Sequence, residues 1–150
     1  MSEQYLTLSV NKQTYGLPIS TIREINRISE ITSVPDSPAH VVGVMNLRGR
    51  VIPVVDLRMR LRSPAVDITK ETCTVVVETS NKHIGIIVDS VSSVIVLDEK
   101  NIDREPIAQE GPKYVIGVGN TEDGMILLLD IDKCLQQDIN QAGYIDNIAA

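Results

Sequence analysis

The 150 residues are 43% hydrophobic with a formal net charge of −6, two cysteines, two histidines, no Phe and no Trp. That length supports one self-sufficient core and leaves no room for a second domain of ordinary size, so residues 1–150 read as a single domain. The acidic balance opposes nucleic-acid binding, which needs a basic face, and the tyrosines, scattered at 5, 15, 114 and 144, form no stacking platform for single strands.

Met1 opens onto Ser2-Glu3-Gln4 without a cationic leader, and no apolar run approaches membrane-spanning length, so a cytoplasmic chain is expected. Leu6, Leu8 and Val10 then share one face of a strand. A polar turn over Asn11 to Thr14 leads into a return strand, Tyr15 to Pro18. Ile19, Ile22 and Ile25 recur at a spacing of three, which predicts a brief helical turn before extended structure resumes, with Ile28 and Ile31 as buried points further on. Pro35 and Pro38 break the ladder, and Ser37 is placed to cap a short helical turn running toward Val42.

The most informative stretch is Gly43 to Leu61, GVMNLRGRVIPVVDLRMRL. Val44 to Leu47 and Val51 to Val55 are aliphatic runs joined at Arg48-Gly49, where Gly49 supplies the positive φ of a tight hairpin turn. Pro53 lacks an amide hydrogen, so it belongs at an edge, at a bulge, or with its nitrogen turned from the neighbouring strand. Asp56 is placed to cap a helical turn over Leu57 to Leu61. Arginines 48, 50, 58, 60 and 62, five of the eight in the chain, crowd this neighbourhood and read either as a solvated hairpin tip and helix face or as an exposed tip that a partner can hold, which Arg48, beside the glycine turn, fits best with its rigid donor fork.

Arg62 to Glu71 reads as a surface loop. Thr72 to Glu78, His83 to Asp89 and Val91 to Leu97 follow as three strands of a meander. A polar bridge over Asp98 to Lys113 leads to a second hairpin, Tyr114 to Gly119 and Met125 to Asp130. Ile131, Leu135 and Ile139 then mark an amphipathic C-terminal helix. Short strands with frequent turns and no long alternating helices give an all-β class, mainly β with short helices, as small barrels or a sandwich.

The chain is poor in reactive constellations. His40 and His83 sit in no motif, which leaves little material for a triad or a metal site. Gly117-Val118-Gly119 precedes a strand where a dinucleotide fingerprint would open a helix. Asp89, Asp98, Asp103, Asp123, Asp130 and Asp132 fall where turns and caps are expected. Cys73 and Cys134, embedded in apolar runs, read as buried reduced thiols. No catalytic residue, metal or cofactor is assigned.

GVMNLRGRVIPVVDLR resembles the signature of the CheW family, the coupling proteins of bacterial chemotaxis. Matching blocks flank it: YGLPISTIREI before, and HIGIIVDSVSSVIVL, YVIGVG and GMILLLDIDKCL after. The resemblance implies two five-stranded SH3-like β-barrel subdomains packed side by side, with the chain's ends interlocked and one hairpin in each barrel. It also implies a non-catalytic adaptor, monomeric when free. Such an adaptor couples the cytoplasmic signalling tips of chemoreceptors to the regulatory domain of the histidine kinase CheA, itself of the same fold, and is recruited to membrane-bound receptor arrays. The family's recognition positions fall on Ile22, Glu24, Gly43, Arg48 and Val94, with Gly49 as the structural turn. The lack of phenylalanine moves any aromatic contact of the family onto aliphatics or tyrosine, and the kinase-facing surface is expected on an exposed strand edge or apolar patch. Two other readings compete: a nucleic-acid-binding barrel using Arg48 to Arg62, and a small-molecule enzyme with a cleft between the barrels.

Overall fold

The computed structural model describes residues 2–27, 30–35, 41–61, 68–79, 82–104 and 114–140, the last five by their backbone. Strands β1 (Ser2–Val10), β2 (Gln13–Pro18), β8 (Ser90–Asp98), β9 (Ile102–Asp103), β10 (Val115–Thr121) and β11 (Gly124–Leu129) form a six-stranded sheet in the order β8-β1-β2-β11-β10-β9. A five-stranded sheet, β3-β6-β7-β5-β4, is built from β3 (Ile22–Arg27), β4 (Val41–Leu47), β5 (Arg50–Asp56), β6 (Cys73–Thr79) and β7 (Lys82–Val88). The N-terminal strands β1 and β2 lie between β8 and β11, so the two ends of the chain are interlocked in one sheet.

Both sheets must be rolled. β8 and β9 occupy opposite edges, yet only the 3-10 turn Glu99–Asn101 separates them. That connection reaches about 14 Å at most, whereas the outer strands of a flat six-stranded sheet stand roughly 24 Å apart. In the other sheet, Thr32, beyond β3, exchanges two backbone hydrogen bonds of 2.9 Å with Val44 on β4, the strand at the far edge. Five strands are met in this barrel; the other has six because the two-residue β9 joins it.

Aliphatic side chains fill the space that aromatic rings would otherwise occupy. Met45, Ile52, Val54, Val76 and Ile87 form one cluster within the five-stranded sheet, and Tyr5, Leu97, Ile126 and Leu128 form one within the six-stranded sheet. The largest cluster joins the two: Leu6, Leu8 and Leu17 meet Val75, Val77, Ile84 and Ile86. Ile131, Cys134 and Leu135 of the C-terminal helix, Ile131–Asn140, complete it. Alternation explains the division, since Tyr5 and Leu6 point to opposite faces of one strand.

The central hairpin forms where its sequence places it. Arg48 and Gly49, with φ of +52° and +84°, are the central residues of a mirror-image turn between paired Leu47 and Arg50. The glycine amide donates to Asn46 Oδ1 at 2.9 Å. Val44 directs both backbone groups to Thr32, so the Val44–Pro53 pair makes no ladder bonds and the Pro53 nitrogen faces the side where pairing with β7 starts only at Val54. No atom lies within 4 Å of a Cβ built on Gly49, so Gly49→Val meets strain without a clash. Chemical denaturation should register a loss of about 1–2 kcal/mol, and an unchanged midpoint would contradict the left-handed geometry.

Several expectations are corrected. The helical turn is confined to Ile19–Thr21, and Ile22 and Ile25 lie in β3. The meander is broken at Asp89: β6 and β7 pair in one sheet, and β8 crosses to pair with β1 in the other. Cys134 is buried, whereas Cys73 is half-buried and donates its thiol to Glu71 O at 3.1 Å; neither is in a disulfide. Ile28, the turn at Ser37-Pro38, positions 62–67 of the expected loop and 105–113 of the polar bridge lie outside the described residues.

The arginine cluster divides. Arg58 is buried, and its Nε and Nη2 donate to the two oxygens of Asp56 at 2.9 Å each. Its Nη1 lies 3.6 Å from Asp89 Oδ1. Hydrogen bonding to Asp56, reinforced by the charges of Asp56 and Asp89, holds the guanidinium above its ordinary pKa against the opposing effect of burial. Arg60, half-buried, donates from Nε to Cys134 O at 2.6 Å and stacks 4.9 Å from the Tyr114 ring centroid. These two arginines are structural because the Asp56-capped helical turn, Leu57–Arg60, tucks beneath the sheet crossover and the C-terminal helix.

Candidate partner-binding site

Arg48 stands at the hairpin tip with 77% of its side chain exposed, and its Nη2 donates to Glu24 Oε1 at 2.9 Å. Glu24, whose side chain is 21% exposed, belongs to β3 at the opposite edge of the sheet, so rolling the sheet is what brings the two together. One amino group is engaged, and the rest of the guanidinium fork faces solvent.

Ile22 and Val94 belong to a different feature, the apolar face between the sheets. Ile22 pairs with Val77 and packs against the shared core. Ile25, paired with buried Val75 and so on the same face, is 43% exposed. On the other sheet Val94 pairs with buried Leu6 and is 48% exposed, and Val96, opposite Gln4 on that same face, is 61% exposed. The shared core therefore runs out to solvent on both sheets. Ile25 and Val96 were missed by the sequence reading; the period-two spacing of Val96 from Val94 is the signal that could have found it.

Gly43 is buried, with φ of +152°, at a bulge in the β4–β5 pairing. A Cβ built there would lie 2.2 Å from Thr32 O. It presents nothing outward, and its place is to let Thr32 close the barrel.

Two hollows open on the six-stranded sheet. One of about 500 Å³ is lined by Ser2, Glu3, Tyr5, Leu97, Glu99 and Ile102. Its carboxylates are engaged, Glu3 by the Tyr5 hydroxyl at 3.2 Å and Glu99 by Arg104 Nε at 2.8 Å. Hydrogen bonding and charge from Arg104 hold Glu99 below the usual carboxylate pKa, and burial, reinforced by Glu3, raises Tyr5. A smaller hollow of about 200 Å³ is lined largely by hydroxyls, including Thr7, Thr14 and Ser93. Among the described residues no three of His, Cys, Asp or Glu stand together as a metal site. Nor is any helix among them long and apolar enough to cross a membrane.

A family model described as the CheW-like domain matches residues 4–138. The chain belongs to the CheW-like domain family. It is 28% identical to the chemotaxis protein CheW of Klebsiella aerogenes over 151 residues, covering 99% of this chain and 90% of that one. Identity to the CheW of Thermotoga maritima is 31% over 134 residues, covering 89% and 88%. The crystal structure of the scaffolding protein TtCheW from Thermoanaerobacter tengcongensis superposes with a TM-score of 0.83 at 30% identity, covering 95% of this chain and 96% of that chain. This CheW-like chain thus shares its relatives' fold across nearly its whole length.

Proposed function

We propose that the chain is a non-catalytic chemotaxis adaptor, acting as one domain in the cytoplasm, that couples chemoreceptor signalling tips to the regulatory domain of the histidine kinase CheA and helps build the receptor array. Family membership and the scaffolding role named for its structural relative support the reading. Glu24 and Arg48 form its polar recognition element. Ile22 and Val94, joined by Ile25 and Val96, form its apolar one, and the exposed valines of β8 are the patch best suited to the kinase.

The observation that carries this reading is Arg48 itself. An arginine held at φ +52° and 77% exposed occupies a turn position that asparagine or glycine would fill at less strain. Strain of this kind at an exposed tip fits a role in recognition. Arg48→Glu should change stability by no more than about 0.5 kcal/mol, as surface substitutions do. Binding to the receptor tip or the kinase should weaken by at least about tenfold, or 1.4 kcal/mol. Arg48→Asn should melt at or above the parent and lose binding in the same assay. Co-sedimentation with receptor tip and kinase, followed by separate titrations, measures this; full affinity of a folded variant for both partners would remove Arg48 from the interface.

A further inference from the structure

The two barrels repeat one another strand for strand. Each has one parallel pair, β5 with β7 and β11 with β2, beside a hairpin that runs into a helix capped by an aspartate, Asp56 or Asp130. The edge strands match as well: Ile25 opposite Val75 corresponds to Val94 opposite Leu6, and the bulge at Arg23 in β3 falls where Ser92 and Ser93 face Thr7 in β8. On this correspondence Glu24 matches Ser93. At the two-residue hairpin tips, Arg48-Gly49 between paired Leu47 and Arg50 matches Glu122-Asp123 between paired Thr121 and Gly124. In the five-stranded barrel the mouth between tip and edge strand is bridged by Arg48 and Glu24 at 2.9 Å. In the six-stranded barrel an acid and a hydroxyl hold those positions, and the mouth is the hollow of about 200 Å³. Thr7, Thr14, Ser92, Ser93 and Thr121 bring hydroxyls to it, and Asp123 is its only charged lining residue among the described residues. Asp123 joins no ion pair among them. The wall is built: the hydroxyl of Thr7, a residue 5% exposed, donates to Ser93 O at 3.0 Å and accepts from the Ser93 amide at 3.1 Å, standing in for the ladder partner that the bulge removes.

We propose that this hollow receives an arginine side chain of the kinase CheA. The chain itself supplies the precedent, since a guanidinium already spans the matching mouth of the other barrel and meets a carboxylate there. Here the polarity is reversed: the tip carries the acid, Asp123 with Glu122 beside it, and the edge strand carries acceptor hydroxyls. A guanidinium fits that set because its fork can give two parallel N–H bonds to the carboxylate and its remaining donors to serine and threonine oxygens. The proposal rests on the adaptor reading above and deepens its kinase surface. Ser92 and Ser93 directly precede Val94 on β8, so the hollow lies next along the strand to the exposed valines proposed for the kinase. A charged contact beside an apolar one fixes the register of a docked partner, which the valines alone leave loose.

The test uses the full chain with Asp123→Asn, titrated separately against the kinase and against a receptor signalling-tip fragment at low and high salt. Asp123 is exposed, so the variant should melt with the parent. It should bind the kinase about tenfold more weakly at low salt, with the gap narrowing as salt screens the contact, and bind the receptor tip unchanged. A second variant, Ser93→Glu/Glu122→Arg, rebuilds the ion pair of the other barrel across this mouth and should weaken kinase binding at least as much by filling the hollow from within. Full kinase affinity of folded Asp123→Asn would overturn the proposal. So would a loss confined to the receptor tip, or a loss of self-association with kinase affinity intact, which would give the hollow to the receptor or to a second copy of the chain. Failure of the adaptor reading is a separate result, visible beforehand as an unsubstituted chain that binds neither partner.

Discussion

Arg58→Ala is expected to cost about 3–5 kcal/mol, the range for removing one partner of a buried ion pair. The side chains of Asp56 and Arg58 are 5% and 6% exposed, and the guanidinium satisfies both carboxylate oxygens. Once it is gone, Asp56 keeps only the position-58 amide, at 3.0 Å, as a donor among the described residues. A charge shielded from water without a counter-ion is the expensive state; the pair itself contributes far less. The double variant Asp56→Leu/Arg58→Leu should therefore lose less than Arg58→Ala alone. Denaturant titration of both, at matched slopes, measures the difference. A single variant within about 1 kcal/mol of the parent would mean that water reaches Asp56 freely.

The misplacement of Arg58 and Arg60 shows where the sequence stops being legible. The signals for the hairpin are local, two aliphatic runs, a glycine and a capping aspartate, so strand ends, turn and cap follow from neighbours along the chain. Whether an arginine on the helical turn meets water depends on Asp89 and on the C-terminal helix, which come close only after both sheets have rolled. The false meander has the same origin. A single residue, Asp89, separates β7 from β8, and a short link between apolar runs looks like a hairpin unless the switch of sheets is known. Among the residues proposed for recognition, the turn at Arg48 is local and legible in the chain. Its contact with Glu24 joins opposite sheet edges, and no periodicity encodes that.

Gly43→Ala should be the most damaging of the small substitutions. The added Cβ would stand 2.2 Å from Thr32 O and 2.8 Å from Thr32 C, both backbone atoms, so no side-chain rotation relieves the clash. Relief requires Thr32 to move, which breaks the two hydrogen bonds to Val44 that join the chain beyond β3 to the far edge strand. The φ of +152° adds strain that only glycine escapes. Together these set a loss of about 3 kcal/mol or more, beyond the ordinary run of substitutions. Glu24 lies on β3, shortly before Thr32, so opening this seam shifts the carboxylate away from Arg48. Binding should then fall because the proposed recognition pair separates, with Gly43 expected to act on partners through the barrel seam. Amide exchange separates this from direct contact: the Thr32 and Val44 amides should lose protection in Gly43→Ala while the β10–β11 amides keep theirs. A variant with full protection at the seam and no binding would instead place Gly43 itself against a partner.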